Sequence, residues 1–97
     1  MIVAFDVDGT LIDFDDNIRP EVIMLLVSLA DAGNHVIVWS GGGKEYAEQV
    51  GRRLGLPDHV VYMAKFPSSA LPHVDVAFDD EKDTLLADQM LIVGRHQ

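Results

Sequence analysis

The chain has no cysteine, which excludes disulfides, thiolate metal centres and cysteine nucleophiles and fits a reducing compartment. Basic residues are scarce: 7 Lys and Arg stand against 16 Asp and Glu, for a formal net charge of −9. The seven form no run, so the sequence carries no electrostatic footprint for nucleic acid, and a polynucleotide would be repelled unless a local metal intervened. Long hydrophobic runs are missing too. Charged or polar residues interrupt each apolar stretch well short of membrane-spanning length. Met1 leads through four apolar residues directly to Asp6, which is not the pattern of a signal peptide. These absences predict a soluble domain working in the cytoplasm, with no membrane partner.

What remains is a chain of 97 residues, 48% of them hydrophobic. That length makes one domain, residues 1–97, with a core of modest size. Self-association would help so small a core, and a homo-oligomer is expected. Short β-branched runs alternate with segments of helical period. Ile2-Val3-Ala4-Phe5, Val36-Ile37-Val38-Trp39, Val60-Val61-Tyr62, Val74 to Phe78 and Leu91-Ile92-Val93 read as strands. Their continuous apolarity fits a parallel sheet covered on both faces. A helix is predicted from Pro20-Glu21, a favourable first turn, to Gly33. Its stretch Val22 to Ala30 is apolar except for Ser28, which implies deep burial or contact with another chain. Lys44 to Leu54 reads as a second helix, with Ala47, Val50 and Leu54 on one stripe and Gly55 as its stop. Glu81 to Asp88 reads as a last short helix. The alternation predicts an open, doubly wound, Rossmann-like parallel sheet of about five strands with short flanking helices. Functional side chains in such sheets gather at the carboxyl ends of the strands, near the point where strand order reverses. Asp6, Ser40, Lys65 and Asp79-Asp80 all fall at predicted strand ends.

Phe5-Asp6-Val7-Asp8-Gly9-Thr10 resembles the signature loop of the haloacid dehalogenase-like phosphohydrolase superfamily, a D-x-D-G-T sequence behind an apolar strand. Trp39-Ser40-Gly41-Gly42 is similar to the second motif of that superfamily, Lys65 to its third and Val76-Ala77-Phe78-Asp79-Asp80 to its acidic fourth. The order matches, and together the four cover residues 2 to 80. The resemblance implies Asp6 as nucleophile and Asp8 as general acid and base. It implies a metal held by Asp6, the Asp8 backbone carbonyl and the pair Asp79-Asp80.

Physical chemistry supports the same reading. A phosphate monoester is anionic, so an anionic nucleophile needs a cation beside it. Mg²⁺ prefers hard oxygen donors, often one or two carboxylates with phosphate and water. If the first and fourth strands are neighbours, Asp6 converges with Asp79 or Asp80 to form an acidic cup. A carboxylate near such a phosphate can form an aspartyl-phosphate that water cleaves, while Asp8 handles the proton. Gly9 allows a tight turn and close backbone approach, so the amides around Gly9 and Thr10 are candidates to cradle phosphate oxygens. Ser40 and the Gly41 amide would hold another oxygen, and Lys65 would neutralise developing charge.

Competing readings exist for each group. Asp6 and Asp8 could cap a turn, and Ser40 or the Asp79-Asp80 pair could cap a helix. Lys44 and Lys82 also lie in loops on the active side, but Lys65 alone follows the third strand. Asp13, Asp15 and Asp16 read as a solvated acidic loop rather than a second metal site. The four histidines show no metal-ligand spacing, and Trp39, Tyr62 and the methionines read as core or rim. Gly41-Gly42-Gly43-Lys44 lacks the spacing of a nucleotide-binding phosphate loop.

The expectation is a Mg²⁺-dependent phosphatase acting on a small molecule or an exposed macromolecular phosphate, with nucleic acid disfavoured. Only about a dozen residues separate Thr10 from the first helix and the link after Lys65 is short, so no inserted cap domain is expected. Two other readings compete with it: a degenerate member of the superfamily that binds metal or a partner without turnover, and a receiver-like phospho-switch. The second would need an acid at the end of the third strand, where this chain has Met63-Ala64-Lys65.

Overall fold

The computed structural model describes residues 1–66, 72–80 and 87–93. Its strands are β1 (Ile2–Asp6), β2 (His35–Ser40), β3 (Val61–Ala64), β4 (Val76–Asp79) and β5 (Gln89–Ile92). Helix α1 (Pro20–Asp31) joins β1 to β2, and α2 (Lys44–Leu54) joins β2 to β3. Every strand pairing is parallel, in the spatial order β3-β2-β1-β4-β5. This is the α/β, Rossmann-like sheet expected from the alternation of runs. The chain steps outward from β1 to β3, then returns to place β4 on the far side of β1. Strand order therefore reverses between β1 and β4, which puts the crevice at their carboxyl ends.

The two central strands are apolar on both faces because both faces are covered. Val3, Phe5, Val36 and Val38 face Val22, Leu26 and Ala30 of α1 and Ala47 and Val50 of α2. Ala4, Ile37, Trp39, Val74 and Ala77 form a second buried cluster. Phe5 and Phe78 stack with ring centroids 4.7 Å apart at an interplanar angle of 11°. Those two residues are register partners in the β1–β4 pair, so the stack fixes the two strands whose tips carry the acids.

Helix α1 begins with Pro20 in its first turn and has no side-chain cap. It is less deeply buried than its apolar sequence implied: Val22, Leu26 and Ala30 face the sheet, while Met24 stays 68% exposed. Helix α2 buries Ala47, Val50 and Gly51 and ends at Gly55, whose φ of 71° is left-handed. In that conformation Leu56 N–H reaches the Gly51 carbonyl at 3.1 Å and closes the last turn, as the position of Gly55 predicted.

Strand limits shift from the apolar runs because pairing, not apolarity, sets them. Val60 and Val74 are buried core residues just outside β3 and β4. Strand β5 starts earlier than the Leu91-Ile92-Val93 run, since Gln89 pairs with Val76 and Met90 with Ala77. The helix predicted over Glu81 to Asp88 falls, but for its last two residues, outside the described residues, as does Lys82.

Candidate active site

Strand β1 ends at Asp6 and strand β4 at Asp79, and the two strands are adjacent. Their side chains leave the same edge of the sheet beside Asp80. Asp6, Asp79 and Asp80 each offer a carboxylate oxygen, and these oxygens lie within 4.8 Å of one another. Asp6 and Asp79 are buried. Lys65 follows β3 and is buried as well; its Nζ lies 2.5 Å from Asp79 Oδ2 and 3.4 Å from Asp6 Oδ1. Among the described residues, the lysine singled out by its place after the third strand is the one that meets the acids.

Electrostatics follow from this crowding. Burial raises the Asp6 carboxyl to about 7, with Asp79 and Asp80 pushing the same way and Lys65 opposing them. Burial and the neighbouring Asp79 also raise Asp80. Burial pulls the Lys65 ammonium down, but its hydrogen bond to Asp79 and the charges of Asp6 and Asp79 outweigh that, so it stays protonated more firmly than usual. Among the described residues, three carboxylates face one ammonium, and buried charge demands compensation. An all-oxygen cluster of this kind is the donor set a hard divalent cation such as Mg²⁺ takes.

The turn after β1 is built around Val7, whose carbonyl receives the amides of Thr10, Leu11 and Ile12 at 3.0–3.2 Å. The Gly9 amide donates to the Ile12 carbonyl at 2.7 Å. The Gly9 and Thr10 amides thus serve the turn itself. Thr10 is fully buried and its Oγ1 has no hydrogen-bond partner. Gly9 is required for space: its φ is 86°, and a Cβ there would stand 2.5 Å from Asp80 Oδ2. The group that stands closest to Gly9 here is the Asp80 carboxylate.

Ser40 ends β2 and is buried, with its Oγ accepting the Gly42 amide at 2.9 Å. It shapes the Gly41–Gly43 turn; the N-cap of α2 is Gly43, without a side-chain bond. Accepting that amide leaves the Ser40 hydroxyl proton able to donate. The Ser40 carbonyl accepts the Lys65 amide at 2.9 Å, which ties the second site strand to the lysine.

Two contributors have no motif of their own. Tyr46, in the first turn of α2, donates its hydroxyl to Asp8 Oδ1 at 2.7 Å. Burial, and then this bond, push the Tyr46 phenol up to about 12, so it remains a donor. Arg19, just before α1, donates from Nη1 to the Gly9 carbonyl at 2.8 Å. The only hint of either in the sequence is position: each lies at the start of a helix on the active edge.

Among the described residues, the other charged clusters lie outside the cup, although Asp16 and Arg53 are close enough to Tyr46 to act on its phenol. Asp13 folds its own loop by accepting the amides of Asp15 and Asn17 at 2.9 Å, and Asp16 pairs with Arg53. His73, Asp75 and Asp88 meet beside the starts of β4 and β5, at the opposite edge of the sheet, with His73 Nε2 2.9 Å from Asp88 Oδ2. A groove of about 450 Å³ between Glu48, Arg52, Leu56 and Tyr62 is also at that far end.

A parallel α/β sheet with carboxylates and a lysine clustered at its topological switch point is a class of fold and site that handles anionic ligands through a cation. Within it, the family model of the haloacid dehalogenase-like hydrolases matches residues 3–64, and the chain belongs to that family. A Bacillus subtilis (strain 168) protein named "Putative phosphatase YkrA" is 29% identical over 65 residues, 67% of this chain. The aligned stretch is 25% of that relative, so the chain spans about a quarter of its length. No solved structure matches. Among the described residues, no helix is long and apolar enough to cross a membrane.

Proposed function

We propose that this domain hydrolyses a phosphate monoester with Mg²⁺, through an aspartyl-phosphate on Asp6. The observation that carries the reading is the convergence of Asp6, Asp79 and Asp80 around Lys65 at the switch point. Asp6, the Asp8 carbonyl, Asp79 and Asp80 would hold the metal. Bound there, Mg²⁺ would offset the charge of the phosphate and of the carboxylates that surround it.

In this reading an Asp6 oxygen attacks phosphorus as the bond to the leaving oxygen breaks. Asp8 gives its proton to that oxygen. It then takes a proton from the water that attacks the phosphorus and releases phosphate from Asp6. Tyr46 holds the Asp8 carboxyl in one orientation through its hydroxyl. Lys65 faces the nucleophile and neutralises charge as it builds. The Ser40 hydroxyl and the Gly41 amide are the donors on the far side, with Gly9 and Thr10 shaping the turn. Residues 1–97 act as one catalytic core in this proposal. The segments after Thr10 and Lys65 are too short to insert a cap domain, so the site is open to its substrate.

Phosphate release from p-nitrophenyl phosphate tests the proposal. Activity should require Mg²⁺, vanish with EDTA and fall by at least about a thousandfold in Asp6→Asn, as loss of a nucleophile demands. Activity that survives in Asp6→Asn would refute the aspartyl-phosphate route.

A further inference from the structure

The aspartate assigned the proton is held by a residue that belongs to none of the four motifs. The backbone of Asp8 is fixed by the turn that closes between Val7 and Ile12. Such a turn leaves the rotation of the side chain open among its staggered positions. Tyr46 removes that freedom by donating its hydroxyl to Asp8 Oδ1 at 2.7 Å. Among the described residues no other hydrogen bond reaches the Asp8 carboxyl. Oδ2 is the oxygen left for other work.

Tyr46 is itself well held. Its ring lies beside the turn that follows β2: a Cβ on Gly42 would stand 3.2 Å from Tyr46 Cδ2 and 3.3 Å from Ser40 Oγ. The helix that carries it is anchored in the core by Ala47 and Val50. Seven residues further along, and so on the same face of α2, Arg53 grips Asp16 with both arms of its guanidinium at 2.9 Å. One face of α2 therefore holds the loop after β1 at two points, Asp8 and Asp16. The same tyrosine ring stands against the turn shaped by Ser40. The proton-handling carboxyl and the proposed phosphate-holding turn are thus set relative to each other by one side chain.

We propose that Tyr46 is a positioning residue that gives the two oxygens of Asp8 separate tasks, Oδ1 to accept its hydroxyl and Oδ2 to carry the proton. This rests on the phosphatase reading above. As Asp6 bonds to phosphorus and the bond to the leaving oxygen breaks, the Oδ2 proton passes to that oxygen. As water then bonds to phosphorus and the Asp6 carboxylate is released, Oδ2 takes the proton of the water. Tyr46 keeps its own proton through both steps, because Oδ1 accepts from it whether or not Oδ2 is protonated. Without the hydroxyl, Asp8 is present but free to turn. The loss falls hardest where the leaving oxygen most needs a proton.

The test is Tyr46→Phe, which keeps the ring against Gly42, assayed with Mg²⁺ on p-nitrophenyl phosphate and p-nitrobenzyl phosphate. The two esters share a ring and differ in the oxygen they release. A nitrophenolate leaves with little help, whereas a benzyl alkoxide is strongly basic and departs only as it is protonated. The readout is the ratio of kcat/KM for the two esters, which covers only the steps up to the aspartyl-phosphate and excludes its common hydrolysis. The variant should lose activity on both, and about tenfold or more further on the nitrobenzyl ester. Circular dichroism and the melting temperature check that it folds. Equal proportional losses on the two esters, as a merely structural role would give, or no loss on either, would overturn the positioning role and leave the phosphatase reading standing. Wild type that cleaves the nitrophenyl ester but not the nitrobenzyl one would overturn it too, because Asp8 held in this way must protonate an alkoxide. Hydrolysis of neither ester by wild type would sink the phosphatase reading, and this inference with it.

Discussion

Asp6 is the residue on which charge, burial and chemistry converge. Its carboxyl is held near 7 against an ordinary 3.8 because burial and the neighbouring acids outweigh Lys65. In metal-free protein the folded state thus keeps a proton between those pH values that the unfolded state has lost. The stability associated with that proton is present below about pH 4 and lost as pH rises toward about 7, at roughly 1.4 kcal/mol for each pH unit between the two values. Metal binding takes the ionised carboxylate and so acts most strongly where the proton has gone. With EDTA, the melting temperature of wild type should fall more between about pH 5 and about pH 8 than that of Asp6→Asn. Mg²⁺ should raise it more at the higher pH. Parallel EDTA profiles for the two proteins would show that Asp6 is not the group responsible. Asp6, Asp79, Asp80 and Lys65 were all legible in the sequence, because a chemical motif at a strand end is a local pattern. Tyr46 on Asp8 and Arg19 on Gly9 were not. Those bonds depend on where α2 starts against β1 and how the loop before α1 folds back, which no spacing encodes.

Helices and strands show the same division between local and distant causes. The limits of α2 were readable from Lys44 to Leu54 because a left-handed glycine ends it. The limits of β3 and β5 were not, because an edge strand ends where its neighbour stops pairing. The packing of α2 on β3 is also a contact the sequence hides. A helix-interior glycine replaced by alanine ordinarily gains up to about 1 kcal/mol. At Gly51 the sign reverses. A Cβ there would overlap the Tyr62 hydroxyl and ring edge, and Tyr62 crosses from β3 onto the buried face of α2. Gly51→Ala should therefore destabilise the fold by about 1–3 kcal/mol in denaturant unfolding, as overpacking does. Combined with Tyr62→Leu, it should show a favourable coupling of at least about 1 kcal/mol, since the smaller side chain removes the overlap. A stabilised Gly51→Ala would mean that β3 yields to α2 rather than being locked against it.

At the scale of the whole molecule, the site and its surroundings oppose one another. The chain carries a formal net charge of −9, yet its proposed substrate is a phosphate dianion. Attraction must come from close range, from Lys65, from the site's donors and from the cation the carboxylates are suited to hold. Beyond that range the field of the protein repels the substrate. The two contributions respond differently to salt. Buried pairs such as Lys65 with Asp79 are screened weakly, whereas the long-range field is largely removed once the Debye length falls to about 8–10 Å. Raising ionic strength from about 20 mM to about 200 mM, at constant free Mg²⁺, should therefore increase kcat/KM for an anionic monoester, by about twofold or more. The increase should sit in KM rather than in kcat, since the long-range field acts on arrival and not on the bound phosphate. A basic site on a basic surface would respond in the opposite direction. A fall in kcat/KM with salt would place the attraction outside the cup, on surface cations that the charge distribution of this chain does not otherwise reveal.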